Sequence, residues 1–176
     1  MIIDKEKTIF VHIPKTAGTS INSYFPCERL KQPKKHASIK EIKDDFPLEY
    51  ETYKKFAIVR NPYDRILSYF FYLKKHNNYY VRNINFKQWL NYLFKLKEKI
   101  HIGAKPQHYW VDSTVNILKF ENLKKEINTF FEKEIKLLHI NKSNHHNFLE
   151  YYDKESLNKV YNMFKKDFNK FNYNKI

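Results

Sequence analysis

Two short stretches concentrate the residue types that hold oxyanions. The first, PKTAGTS at positions 14–20, offers one lysine, three hydroxyls and one glycine directly after an apolar run. A helix opening there adds free backbone N–H groups beside an ammonium, the physical recipe for binding phosphate or sulfate. A plain strand-to-helix turn would need neither the lysine nor so many hydroxyls. The standard nucleoside-triphosphate loop, G-x-x-x-x-G-K-[ST], is excluded because Lys15 precedes Gly18. The second stretch, RNPYDRILSYF at positions 60–70, sets Arg60 after another apolar run and Ser68 two turns into a helix. A guanidinium and a hydroxyl so placed suit a second phosphate. Arg65 shares a helical face with Ser68 and is open to two readings, ligand binding or an ion pair with Asp64 or another neighbour. No aspartate follows these runs to hold magnesium, since the second leads into Arg60 and a third into Glu121, so metal-free anion transfer is the economical reading.

Such groups work only if strands and helices bring them together. Ile9–Ile13, Phe56–Val59 and Val115–Phe120 read as buried strands, each followed by a helix start. The first leads to a helix through Ile21 and Phe25. The second is followed by Asn61 as N-cap and Pro62 as first helical residue, and the third by Asn122 as a cap for a helix facing inward with Leu123, Ile127, Phe130 and Phe131. Asn85 with Gln88 forms a capping-box pattern ahead of Phe86, Trp89, Leu90 and Leu93. Near the carboxyl end, Asp153 precedes one apolar stripe running from Leu157 through Phe164 and Phe168 to Phe171. Strand-then-helix repetition predicts an α/β fold, a single domain over residues 1–176 with a P-loop-like parallel sheet flanked by helices. In such sheets ligands sit beyond the carboxyl ends of the strands, where both oxyanion stretches fall.

The 176 residues leave no room for a second catalytic domain. A net charge of +14 comes almost wholly from lysine, with arginine only at 29, 60, 65 and 82, and it admits anionic ligands without choosing among them. Cys27 is alone, which excludes an internal disulfide or a cysteine-rich zinc site. The first residues mix charges, and their apolar run is too short for a signal or membrane-spanning segment, so the expectation is a cytoplasmic protein with no membrane span. The eight histidines do not separate by position alone: His12 reads as a satisfied core residue inside the first strand, and His101, His108, His139, His145 and His146 fall in loops or helix ends. Gln107 and Trp110 in KPQHYWV are candidates to touch a sugar face, with a buried Trp110 the ordinary alternative.

FVHIPKTAGTSI followed by FAIVRNPYDRILSYF resembles the carbohydrate sulfotransferases that use 3′-phosphoadenosine 5′-phosphosulfate (PAPS), the branch with heparan sulfate 2-O- and chondroitin-type enzymes and their short bacterial and viral relatives. The resemblance extends through KHASI, ILKFENL and the tail from LLHINKS to DFNKFNY. It implies that Lys15, Thr16, Ala17, Gly18, Thr19 and Ser20 hold the 5′-phosphosulfate and that Arg60 and Ser68 hold the 3′-phosphate. It further implies that Asn141, Lys142 and Ser143 belong to a later loop closing over the nucleotide, and that His36 is the general base. The chain departs from Golgi members in lacking their membrane anchor and in being short, which bears on localisation and acceptor size.

The implied reaction moves a sulfuryl group from PAPS to a hydroxyl of a saccharide or glycoconjugate, anionic acceptors included, releasing 3′-phosphoadenosine 5′-phosphate without a metal. A neutral imidazole, with an ordinary pKa near 6.5, suits removal of the hydroxyl proton. Lys15 and the helix N–H groups suit the charge developing on the departing phosphate. Lys31, Lys34 and Lys35 beside His36 either guide a polyanionic acceptor or form a solvated loop. Two rival readings remain at this level: a small phosphoryl transferase with an atypical phosphate loop, and a non-catalytic basic module for nucleic acid, although no nucleic-acid recognition motif is present.

Overall fold

The apolar runs FVHI and FAIV do not alternate with polar residues, which is the pattern of a parallel strand covered on both faces. The computed structural model describes residues 1–26, 29, 34–96, 101–138 and 147–176, and it bears this out. Strands β1 (Ile2–Ile3), β2 (Thr8–Val11), β3 (Lys54–Val59) and β4 (Asn116–Lys119) form one sheet in the order β1-β2-β3-β4. The pairs β2–β3 and β3–β4 are parallel, with Val11 opposite Ala57 and Val59 opposite Lys119, so their carboxyl ends share one edge. Ile9, Phe10, Val11 and the whole of Phe56–Val59 are fully buried. The sheet is mostly parallel rather than wholly so, because β1 adds an antiparallel edge pairing Ile2 with Ile9. Two residues are too few to show any periodicity, so this strand carried no sequence signal.

The chain divides into two compact units, Met1–Arg60 with Gln107–Asn141, and Asn61–Pro106 with Lys142–Ile176. In the first, α1 (Gly18–Tyr24) and α6 (Leu123–Phe131) pack on the sheet face bearing Phe10, Phe56, Ile58 and Leu118, joined by Ile21, Phe25 and Ile127. Phe10 and Phe56, opposite each other in the register, stack with ring centroids 4.9 Å apart. The same unit contains α2 (Ile39–Asp45) and α3 (Pro47–Thr52).

The second unit is helical: α4 (Pro62–Lys75), α5 (Phe86–Lys95), α7 (Lys154–Met163) and α8 (Lys165–Lys170) share a core built largely of aromatic rings. The caps form as the sequence predicts at α4, where Asn61 accepts from the Tyr63 N–H, and at α5, where Asn85 and Gln88 form a capping box. Two expectations change. Asn122 makes no side-chain cap; a 3₁₀ turn over Phe120–Asn122 delivers the chain into α6 instead. The carboxyl-terminal stripe is not one helix, because the backbone leaves helical geometry at Phe164 while Phe164 and Phe168 both remain buried in the same core. Apolar spacing reports which face is buried and is blind to such a break. No helix among the described residues is long and apolar enough to cross a membrane.

The two asparagines separate cleanly in a mutational test. Asn85→Ala is expected to cost about 1 kcal/mol, and Asn122→Ala less than about 0.5 kcal/mol, both read from urea unfolding midpoints.

Candidate functional site

Strand β2 ends at Val11 because the chain turns there: the Ile13 N–H bonds back to the Val11 carbonyl at 3.1 Å, and Pro14 has no N–H to continue a ladder. The turn that follows is strained. Lys15 (φ 71°) and Ala17 (φ 63°) are left-handed, while Thr16 and Gly18 are not. Alternation of this kind aims successive backbone N–H groups into one concavity, an anion-binding nest, and a non-glycine residue with positive φ persists only where its surroundings enforce it. One brace is visible: the buried Thr16 hydroxyl donates to the Ile13 carbonyl at 2.8 Å. That hydroxyl holds the turn. Lys15 is half-buried, Ser20 is buried and Thr19 is exposed at the start of α1.

Gly18 is required for close approach rather than for its φ. A Cβ at this position would overlap the imidazole of His12, which lies against the start of α1. His12 stands just past β2 and is not the satisfied core histidine that the sequence suggested, for its Nδ1 is inaccessible and has no hydrogen-bond partner. Burial, followed by the positive charges of His36, the amino terminus, Lys35 and Lys15, holds His12 well below the ordinary histidine value. Its ring therefore stays neutral behind the turn.

His36 ends a 3₁₀ turn over Lys34–His36 and sits against His12, ring centroids 4.4 Å apart. Its Nδ1 lies 2.9 Å from the His12 carbonyl oxygen. A carbonyl only accepts, so Nδ1 carries the proton, and in the neutral ring Nε2 is the basic nitrogen. Arg60 directly follows β3 and is buried. Its guanidinium lies over the Phe120 ring, 4.3 Å from the centroid, and donates to the Lys15 carbonyl at 3.4 Å. The turn, His36 and Arg60 thus gather at the carboxyl edge of the sheet within one unit.

Among the remaining sequence candidates, Ser68 is buried in α4 of the second unit. In that unit Arg65 is fully buried, and its guanidinium donates to the Gly103 and Lys105 carbonyls at 3.2 and 2.6 Å, tying down a loop. Gln107 and Trp110 are both wholly inaccessible, which removes them as sugar contacts. Lys142 and Ser143, with Asn141 and Lys31, lie outside the described residues. Sequence reasoning missed His12 as the wall behind the turn; the signal was Gly18 six residues later, a small residue where a ring needs space. No group of three or more His, Cys, Asp or Glu that could hold a metal occurs among the described residues.

A mostly parallel α/β sheet with an anion nest and an arginine at its carboxyl edge is the general arrangement of proteins that hold phosphorylated ligands. The chain belongs to the sulfotransferase family: the family model described as "Sulfotransferase family" matches residues 1–110, which include the turn, His36 and Arg60. No curated protein and no solved structure matches the chain.

Two measurements probe the His12 wall. Gly18→Ala is expected to destabilise by about 1–3 kcal/mol through overpacking, and the same change in a His12→Ala background to cost far less, measured by unfolding both pairs. Acid supplies the second. Below about pH 6.5 the unfolded chain protonates His12 while the native chain resists until its lowered value is reached, so stability is lost as pH falls through that window. A pH series of unfolding midpoints should be shallower for His12→Phe than for the parent below pH ~6.5 and equal to it above.

Proposed function

We propose that this chain transfers a sulfuryl group from PAPS to a hydroxyl of a saccharide or glycoconjugate, with His36 as general base. The observation that carries the reading is the hydrogen bond from His36 Nδ1 to the His12 carbonyl, since it fixes the proton on Nδ1 and makes Nε2 the basic nitrogen of the neutral ring. The donor supplies an activated sulfuryl group whose sulfur–oxygen bond to phosphate breaks as the acceptor oxygen bonds to sulfur. Nε2 of His36 takes the acceptor proton. The N–H groups of the nest and the Lys15 ammonium oppose charge on the 5′-phosphate side, and Arg60 opposes charge on the 3′-phosphate side. The residues fit that donor chemically: a nest with an ammonium suits one oxyanion, and a guanidinium backed by an aromatic ring suits another. The resemblance assigns nucleotide-binding roles to Ser68, Lys142 and Ser143 as well. The excess of lysine is compatible with an anionic acceptor.

Thermal-shift comparison of 3′-phosphoadenosine 5′-phosphate with ATP and AMP tests the donor class, and selective stabilisation by the first is expected. Equal or greater stabilisation by ATP with magnesium would point to phosphoryl transfer instead. Arg60→Ala should weaken binding of the bisphosphate nucleotide by about tenfold or more. His36→Ala should lower kcat for sulfate transfer by about a hundredfold or more with that affinity nearly unchanged; an active variant would remove His36 from its role.

A further inference from the structure

Arg60 is the first residue beyond the β3–β4 ladder, whose last pair is Val59 with Lys119, so neither sheet pairing supplies a partner for its backbone. A side chain does so instead. The Arg60 N–H donates to Gln107 Oε1 at 2.9 Å, and Gln107 Nε2 donates to the Arg60 carbonyl at 2.8 Å. The amide thus imitates a neighbouring strand for one residue, from a 3₁₀ turn over Gln107–Tyr109. Three residues on, Trp110 grips a different segment. Its Nε1–H donates to the His36 carbonyl at 3.1 Å, and its own carbonyl accepts the Ile39 N–H at 2.8 Å. The Trp110 N–H bonds to the Gln107 carbonyl at 3.2 Å, which closes the turn and joins the two grips.

Volume alone does not explain these residue types. A buried amide costs roughly 1–3 kcal/mol unless it is paired, and an aliphatic side chain would fill the space of Gln107 without that demand. Both polar ends of the Gln107 side chain go to Arg60, and the polar atom of Trp110 goes to His36. The Trp110 grip adds to a second restraint on the same residue, the His12 carbonyl on the His36 ring, and to the capping box of Ser38 and Glu41 that starts α2 two residues later.

We infer that residues 107–110 are a brace that sets the two reactive arms independently, Gln107 acting as the positioning residue for Arg60 and Trp110 as the positioning residue for His36. This rests on the roles given above to Arg60 as a donor-phosphate ligand and to His36 as base. Neither brace residue touches the ligand; each acts through the backbone of another. The consequence is a division of labour along four residues, one end governing donor affinity and the other governing proton removal.

The test uses Gln107→Met and Trp110→Phe in the full chain, each first verified as folded by circular dichroism. Four readouts are taken: hydrogen exchange at the Arg60 amide, ¹⁵N shifts of the His36 ring, calorimetric affinity for 3′-phosphoadenosine 5′-phosphate, and kcat. Gln107→Met should release protection at Arg60 and weaken the nucleotide about tenfold, the equivalent of one lost hydrogen bond, with the His36 ring shifts unchanged. Trp110→Phe should leave Arg60 protection and nucleotide affinity within about twofold while the His36 ring signals move from a single tautomer toward an average and kcat drops about tenfold. Parallel losses in every readout for both variants would reduce the segment to ordinary core and overturn the brace. So would wild-type behaviour in all of them while Arg60→Ala weakens the nucleotide and His36→Ala abolishes turnover. If Arg60→Ala and His36→Ala themselves change neither, the reading of the site fails and the brace loses its function with it, an outcome set apart because it appears in the alanine variants.

Discussion

Backbone polar groups that run past the end of a buried parallel strand lose their ladder partners, and each must find another or remain unpaired at a cost of about 1–3 kcal/mol. At the carboxyl edge of this sheet the replacements come from the side chains that make up the site. The Ile13 carbonyl takes the Thr16 hydroxyl, the His12 carbonyl takes the His36 ring, the Lys15 carbonyl takes the Arg60 guanidinium, and the Arg60 backbone takes the Gln107 amide. Satisfying the strand ends and orienting the chemical groups are one act here. This explains how a small unit can hold a strained turn, an arginine and a histidine in fixed relation.

Electrostatics follows from the same geometry. His12 lies where positive groups converge, and its burial keeps it neutral, so the wall behind the turn adds no charge of its own. The closeness of the His36 ring adds to the effect of burial in lowering the His12 value. Lys15, within the turn, and Arg60, which donates to the Lys15 carbonyl, carry the positive charge there.

The helical unit follows the same constraint with different residues. Arg65, fully buried, spends its guanidinium on two loop carbonyls. Near it in sequence, Tyr69 donates its hydroxyl to His101 Nδ1 at 2.6 Å, and burial pushes the Tyr69 phenol up to about 12, so it remains a proton donor through the physiological range. Gly103 lies against that ring so closely that a Cβ would overlap it. The sequence leaves Arg65 open between ligand binding and an ion pair, and the structure gives its guanidinium the two loop carbonyls.

The sequence by itself determined what depends on neighbours along the chain. The apolar runs became strands and helical faces, Asn61, Asn85 and Asp153 became caps, and PKTAGTS became a turn leading into a helix. Each of these is decided within a few residues by backbone sterics, side-chain oxygens and solvent. Tertiary structure alone decided which His36 nitrogen is basic, that Arg60 reaches the Lys15 carbonyl, and that Gln107 grips Arg60 across 47 positions. Those facts require strands from distant parts of the chain to pair in one register. Residue type states which hydrogen bonds are available, but only the paired sheet brings a particular donor within 3 Å or so of a particular acceptor.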